Sequence, residues 1–170
     1  MIRFAAEEDI PRILEIEREA ISPPWPHGAL LREIYNDDSV FAVWEADTIP
    51  IPPINTSPVS MPHIIEHTIP SHPAFRILGF IILRRAADEG ELFQIAVDAA
   101  YRRRGVADAL VETALNWADG CGVRQVYLEV RKSNGAAIAL YNKHGFMQAG
   151  LRKEYFTEPA EDAVIMVHRL

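Results

Sequence analysis

Three consecutive arginines and a glycine, Arg102 to Gly105, stand between a predicted strand and a predicted helix. The first turn of a helix has backbone N–H groups without partners and carries the positive end of the helix dipole. Gly105 has no Cβ to keep the backbone away from an anion, and Ala107 is small for the same purpose. The stretch therefore predicts a phosphate-binding turn, with Arg102, Arg103 and Arg104 adding side-chain charge.

The alternative is that the arginines form only a solvated helix start. Positive charge at a helix N-terminus opposes the dipole and costs about 0.3–1 kcal/mol per charge, so three arginines there favour a bound anion. The stretch matches neither GxxxxGK[ST] nor GxGxxG, which excludes the P-loop and the dinucleotide fingerprint. The net charge of −7 argues against a protein that grips nucleic acid directly.

Two further residues could move protons. Glu129 is the sole acidic residue of the predicted strand 123–130, and a carboxylate on a central strand is costly unless it is paired or used. An ion pair with Arg131 or Arg124 would explain it as well as a catalytic role would. Tyr141 lies near the end of the predicted helix 134–144, where an aromatic ring on an apolar helix face more often belongs to the core.

These residues lie on a regular alternation of strands and helices. Apolar residues at helical spacing predict helices at 7–21, 105–119 and 134–144, with Asn134 as N-cap of the last and Gly120 as the residue that ends the second. β-branched and aromatic runs predict strands at 1–5, 40–46, 76–86, 91–97 and 123–130, followed by a closing antiparallel pair. A further short helix is predicted after residue 28. This order predicts an α/β or α+β sheet with helices on both faces.

The chain has 170 residues, which predicts one domain with an insertion at 49–73. That window holds seven of the twelve prolines and predicts an extended loop between two hairpin strands. His63, His67 and His72 lie in it, but without cysteines or paired acids they do not predict a metal site. The one cysteine, Cys121, is interpreted as structural.

The targeting signals of secreted and membrane proteins are not evident in the sequence. No apolar run approaches the roughly 18–20 residues that a membrane span needs. The segment that begins the chain lacks the basic start and apolar stretch of a signal peptide. We therefore expect a cytoplasmic protein that does not bind a membrane.

The stretch RRRGVA, as R-x-x-G-x-A, resembles the acetyl-CoA pyrophosphate loop of the GNAT N-acetyltransferases. Three longer segments extend the resemblance to the RimI-type protein N-terminal acetyltransferases across residues 75–170: ELFQIAVDAAYRRRGVADALV, YLEVRKSNGAAIALYNKHGF and RKEYFTEPAEDAVIM. Residues 1–46 fit this family more loosely. The proline-rich window departs from the family, which usually has a short hairpin there.

The resemblance implies a GNAT fold over residues 1–170, whose mixed central sheet opens in a splay between adjacent strands. It implies acetyl-CoA as co-substrate and no metal. The pantetheine arm would pair with the backbone of Ile95, Ala96 and Val97. The pyrophosphate would bind at residues Arg102, Arg103, Arg104, Gly105, Val106, Ala107 and Asp108. In the family, the asparagine matched by Asn134 also contacts the cofactor.

The resemblance further implies direct attack of an amine on the thioester, with Glu129 as base and Tyr141 as acid. The implied acceptor is the N-terminal alanine of a small-subunit ribosomal protein. The pKa of a free α-amine, about 7.7–8.0 against about 10.4 for lysine, agrees with it, because deprotonating lysine costs about 3–4 kcal/mol more at neutral pH. The alternatives are an acetyltransferase for other protein N-termini, lysines or small amines, and a catalytically silent acyl-CoA-binding protein.

Overall fold

The computed structural model describes residues 1–46 and 76–170. The helices are α1 (Ile10–Ala20), α2 (His27–Ile34), α3 (Val106–Gly120) and α4 (Gly135–Lys143). The strands are β1 (Ile2–Phe4), β2 (Ser39–Ala46), β3 (Arg76–Ala86), β4 (Glu89–Val97), β5 (Gln125–Arg131), β6 (Met147–Thr157) and β7 (Ala160–Arg169). Each predicted element is found within a few residues of its predicted bounds. The insertion predicted at 49–73, with its three histidines, lies outside the described residues.

The strands form a seven-stranded sheet in the order β1-β2-β3-β4-β5-β7-β6. Neighbouring strands are antiparallel except for β4 and β5, which are parallel. Successive residues of β3 point to opposite faces, and both faces are buried: Phe80 packs toward α1 and α2, and Ile81 toward α3. The mixed sheet with helices on both faces confirms the predicted fold class.

The sheet opens between β4 and β5. These two strands pair only at Glu89–Gln125, Gly90–Val126 and Glu91–Tyr127. Beyond this short ladder β4 continues beside β3, and β5 continues beside β7. The register between β3 and β4 also shifts after Ile82, which leaves Phe93 as a bulged residue at the start of the opening. The predicted splay between adjacent strands is therefore confirmed.

The ends of α3 and α4 show how local sequence fixes the helices. Asn134 caps α4 as predicted, with its Oδ1 accepting a hydrogen bond from the backbone N–H of Ala137 at 3.1 Å. The prediction that Gly120 ends α3 with a left-handed residue is wrong. The helix continues through Gly120, and Gly122 takes the positive φ of 77°.

A Schellman turn closes α3 at this point. The N–H of Val123 donates to the carbonyl of Ala118 at 3.0 Å, and the N–H of Gly122 donates to that of Asp119 at 2.9 Å. Val123 and Ala118 are both buried in the core beneath α3. None of the helices in residues 1–46 and 76–170 is long and apolar enough to cross a membrane.

Candidate active site

The arginine–glycine turn joins β4 to α3. Gly105 has a φ of 82° and stands directly before the helix, a backbone conformation that favours glycine. A Cβ at this position would meet nothing within 4 Å, so the space above the turn is open. Gly105 and the first residues of α3 line a cleft at this point, where an anion could reach the unpaired N–H groups of the first helical turn.

The three arginine side chains around this turn are exposed. Arg102 is held in place, because its Nε donates to the carbonyl of Val97 at 3.1 Å. The guanidinium of Arg104 lies over the Tyr101 ring, 5.3 Å from its centroid. Arg103 itself has a positive φ of 62°, which turns the chain sharply before the glycine.

A cleft of about 510 Å³, here called the turn cleft, opens beside this turn on the α3/α4 face of the sheet. It brings together the predicted cofactor residues Ile95, Ala96, Val97, Arg102, Arg103, Gly105, Val106, Ala107 and Asp108. Arg104 and Asn134 are not part of the lining. Their cofactor roles, like those of the lining residues, remain predictions. The opposite wall is formed by α4, through Ala136, Ala137, Ala139, Leu140 and Lys143.

Sequence reasoning missed this α4 wall. The sequence predicts these alanines only as part of a helix, whereas in the fold their small side chains line the cleft. The sequence shows that Ala136, Ala137 and Ala139 are small and close together. That they line a cleft follows only from the packing of α4 beside the turn.

Asp108 has a role that the sequence did not indicate. Lys143 donates to its Oδ1 at 2.5 Å, and His144 Nε2 lies 3.3 Å from the same oxygen. The Lys143 hydrogen bond is the main reason that the pKa of Asp108 is lowered. The carboxylate thus ties the first turn of α3 to the end of α4, which keeps the two walls of the turn cleft together.

A second cleft, of about 600 Å³, lies where β4 and β5 separate. It opens on the α1/α2 face, because β5 alternates: Leu128 and Val130 point into the α3 core, whereas Tyr127 and Glu129 point the other way. We call it the carboxylate cleft. Its lining includes Arg84, Arg85, Glu89, Glu91, Phe93, Tyr127, Glu129, Arg152 and Tyr155.

Glu129 is held by two side chains of β6. Arg152 lies 2.6 Å from Glu129 Oε1, and the Glu129 side chain is 19% exposed. The hydroxyl of Tyr155 donates to the same carboxylate, and this hydrogen bond is the main cause of the raised pKa of Tyr155. The sequence does not predict a role for Arg152 or Tyr155. Both lie on β6, which β7 separates from β5, and the spacing along the chain does not show that side chains of β6 reach across β7 to Glu129.

The ion pair that was considered as an alternative for Glu129 exists, but with another partner. Arg131 pairs with Glu161 at 3.5 Å, and Arg124 lies 3.8 Å from Asp88. The prediction of either arginine as the partner of Glu129 is therefore wrong. The partner, Arg152, reaches Glu129 across β7, and neither the strand order nor the register of β6 could be derived from the sequence.

Tyr141 is buried in the core beneath α3 and α4, with its ring 5.6 Å from that of Phe146. Burial raises the pKa of its hydroxyl, so the phenol is protonated at neutral pH. Leu140 and Lys143 of the same helix line the turn cleft, but Tyr141 is not part of that lining. Its packing agrees with a core residue, and its role as an acid remains a prediction.

A buried acid fixes the loop between α1 and α2 against β4. Glu17 Oε1 accepts hydrogen bonds from the backbone N–H of Trp25 at 2.7 Å and from Gln94 Nε2 at 2.8 Å. The Trp25 ring packs edge-on against Phe93, with centroids 5.8 Å apart. The sequence predicts Glu17 only as part of a helix. In the fold it positions the loop between α1 and α2 beside the carboxylate cleft.

A model of the acetyltransferase (GNAT) family matches residues 10–146. The chain belongs to the GNAT family. Its two clefts and its split sheet are thus features of a GNAT domain, and the predicted family resemblance is confirmed.

Among its relatives, this GNAT protein is similar to the [ribosomal protein bS18]-alanine N-acetyltransferase of Escherichia coli K12. The two are 44% identical over 93 residues, which cover 54% of this chain and 63% of that relative. The chain thus matches less than two thirds of the length of that relative. The enzyme of the same name from Haemophilus ducreyi is 32% identical over 169 residues, covering 98% and 97% of the two chains.

The fold of this GNAT chain also resembles a solved structure. The crystal structure of the ribosomal-protein-S18-alanine N-acetyltransferase from Escherichia coli matches with a TM-score of 0.73 and 28% identity. The match covers 99% of this chain and 92% of the other. Together with the two relatives, it confirms the similarity to RimI-type enzymes.

Proposed function

We propose that this GNAT domain transfers the acetyl group of acetyl-CoA to the α-amine of a protein N-terminus. One observation carries the proposal. β4 and β5 separate after the Glu91–Tyr127 pair, and the turn cleft and the carboxylate cleft lie on opposite faces beside that gap. A thioester entering from one face and an amine from the other would meet there.

Acetyl-CoA suits the turn cleft. On the side that faces β5, the backbone of Ile95, Ala96 and Val97 has no pairing with that strand. The amides of a pantetheine arm can bond to such an edge as an added strand would. The pyrophosphate would then reach the turn at Gly105, where the N–H groups of α3, Arg102 and Arg103 surround it.

Glu129 would act as the base on the acceptor side, directly or through a water. The amine nitrogen attacks the thioester carbonyl carbon, and a tetrahedral intermediate forms. The proton of the amine passes to the Glu129 carboxylate, and the carbon–sulfur bond then breaks. Arg152 and Tyr155 hold this carboxylate in the free protein, so the N–H of an incoming neutral amine must compete with them for its oxygens.

Tyr141 would supply the proton that the departing thiolate needs. Because burial keeps its hydroxyl protonated at neutral pH, the proton is available for transfer. The same burial makes the phenol a weaker acid, so the transfer requires the sulfur to lie directly against the hydroxyl oxygen.

The acceptor that we propose is the N-terminal alanine of a small-subunit ribosomal protein. The names of the two relatives and of the similar crystal structure support it. The lower pKa of an α-amine, compared with lysine, also favours it for a site with one carboxylate base. A ribosomal acceptor would place the reaction in the cytoplasm.

A panel of peptides that differ at residue one, each with a free or a blocked α-amine, tests this function. We expect acetyl transfer from acetyl-CoA to free α-amines, fastest with alanine at residue one. Equal rates on blocked peptides that carry lysine would instead establish a lysine acetyltransferase. No transfer to any amine, with acetyl-CoA still bound, would identify a silent acyl-CoA-binding protein.

A further inference from the structure

The charged side chains of the carboxylate cleft are unequally paired. Each of its three arginines has a carboxylate partner. Arg84 is paired with Glu33, Arg85 Nε donates to Asp38 Oδ1 at 3.0 Å, and Arg152 is paired with Glu129. Among the acids, Glu89 accepts a hydrogen bond from the Gln125 amide at 2.8 Å.

Glu91 differs from all of these. Within residues 1–46 and 76–170 its carboxylate has neither a hydrogen-bond partner nor an ion-pair partner. It stands on the last residue of β4 that pairs with β5, at the entrance of the gap. Its side chain is exposed at the mouth of the cleft. Some loss of solvent around the carboxylate and the charge of Glu129 raise its pKa, while the charges of Arg84 and Arg152 act in the opposite direction. Among the described residues, Glu91 is thus a carboxylate of this cleft that no arginine or lysine pairs by direct contact.

On the basis of the proposed function, we infer that Glu91 determines specificity by binding a second cationic group of the acceptor, beside the amine that Glu129 receives. The group would be a lysine or arginine side chain at residue two or three of the acceptor. Glu91 takes no part in the chemical step. It binds the acceptor, and its contribution depends on the charge of that side chain.

The strand geometry sets the distance between the two carboxylates. Glu91 is in register with Tyr127, and Glu129 follows two residues later on the same face. With a rise of about 3.3 Å per residue and strands about 4.8 Å apart, the Cα atoms of Glu91 and Glu129 are separated by about 8 Å. An extended peptide with its amine at Glu129 can reach Glu91 with the side chain of its second or third residue.

The surroundings of Glu91 suit a long basic side chain. Tyr127 lines the same cleft beside it and offers an aromatic ring. The neighbouring Phe93 ring is itself covered by the guanidinium of Arg84, which lies 4.7 Å from its centroid, so a cation already packs on an aromatic ring of this cleft. The methylene stem of a lysine can pack on such rings while its ammonium group contacts the carboxylate. A neutral side chain of the same length would keep this packing and lose only the charge interaction.

Peptides beginning with alanine and carrying lysine or norleucine at residue two or three test the inference. For the wild type we expect kcat/KM about fivefold higher for the lysine peptide at one of the two positions, mainly through KM. In Glu91→Gln this preference should disappear, with the norleucine peptide and the KM for acetyl-CoA unchanged. Glu112→Gln, on an exposed face of α3 outside both clefts, removes the same charge and should keep the preference.

Glu91→Lys provides a second measurement, because it should make the lysine peptide the poorer acceptor of the pair. Equal rates for lysine and norleucine at both positions in the wild type would overturn the inference, as would a preference that survives in Glu91→Gln. Calorimetric binding of the same peptides repeats the comparison without turnover. A chain that transfers no acetyl group would refute the proposed function, while the binding data would still decide the role of Glu91.

Discussion

The turn cleft and the carboxylate cleft both lie beside the gap between β4 and β5, but different kinds of residue line them. The turn cleft is lined mainly by glycine, alanine and larger aliphatic residues, and the ligand contacts proposed for it are mostly with backbone groups. The carboxylate cleft is lined by long charged and aromatic side chains from four different strands. Where backbone groups make the ligand contacts, the geometry of a site depends on the local φ and ψ angles. Where side chains make them, it depends on which strands lie next to each other in the sheet.

The largest effect is expected in the carboxylate cleft, from Glu129→Gln. The substitution keeps the size of the side chain and removes the base, so kcat should fall about 1,000-fold. Acetyl-CoA binding, measured by calorimetry, should be unchanged, because Glu129 lies outside the turn cleft. Retained activity would assign Glu129 to the ion pair with Arg152 alone.

Tyr141→Phe distinguishes a proton donor from a core ring. Phenylalanine keeps the packing against Phe146, so thermal stability should change little. If the hydroxyl protonates the leaving thiolate, kcat should fall about 100-fold while the KM for acetyl-CoA stays constant. Wild-type kcat in this variant would show that Tyr141 is only part of the core.

Gly105→Ala probes the backbone of the turn cleft. A side chain at a φ of 82° is strained by about 1–2 kcal/mol, which should displace the turn and raise the KM for acetyl-CoA about tenfold. The KM for the acceptor peptide should not change. Gly120→Ala is the matched control at the other end of α3, where φ is not positive and no neighbour lies within 4 Å of an added Cβ. An unchanged KM for acetyl-CoA in Gly105→Ala would separate the turn from cofactor binding.

Asp108→Asn should have the smallest effect. Because Lys143 lowers the pKa of Asp108 in the folded protein, the carboxylate stabilises the fold above its unfolded pKa of about 3.9. This contribution, about 0.5 kcal/mol for a partly exposed pair, is lost as the pH falls through the folded pKa. Unfolding in urea should therefore show a wild-type advantage at pH 7 that disappears at low pH. An advantage that persists at low pH would point to packing and not to charge.

The sequence allowed the turn cleft to be predicted better than the carboxylate cleft. Arg102 to Ala107 are contiguous, so their turn between a strand and a helix could be predicted from the order of the residues alone. Arg152 could not be predicted as the partner of Glu129, because β7 lies between their strands. The register of β6 shifts twice along its length, so spacing along that strand does not determine which side chains face β5.

Two smaller features, the glycine that ends α3 and the buried acid Glu17, also could not be predicted from the sequence alone. Gly120 and Gly122 are equally good candidates for the end of α3 by composition, and the hydrogen bonds of Ala118 and Asp119 decide between them. Glu17 looks like any other acid of an amphipathic helix. Its burial follows from the loop and the β4 side chain that it contacts, which are eight and 77 residues away along the chain.

The opening between β4 and β5 has a consequence for how this protein responds to substitution. The backbone N–H and C=O groups at the end of β4 are the same whichever side chains the strand carries. Under the proposed function these groups bind the pantetheine arm, whereas the side chains of Ala96 and Val97 are buried in the cores on the two faces of the sheet. A substitution scan of this strand would therefore report how well the core packs, and it would not isolate the proposed backbone contact with the cofactor.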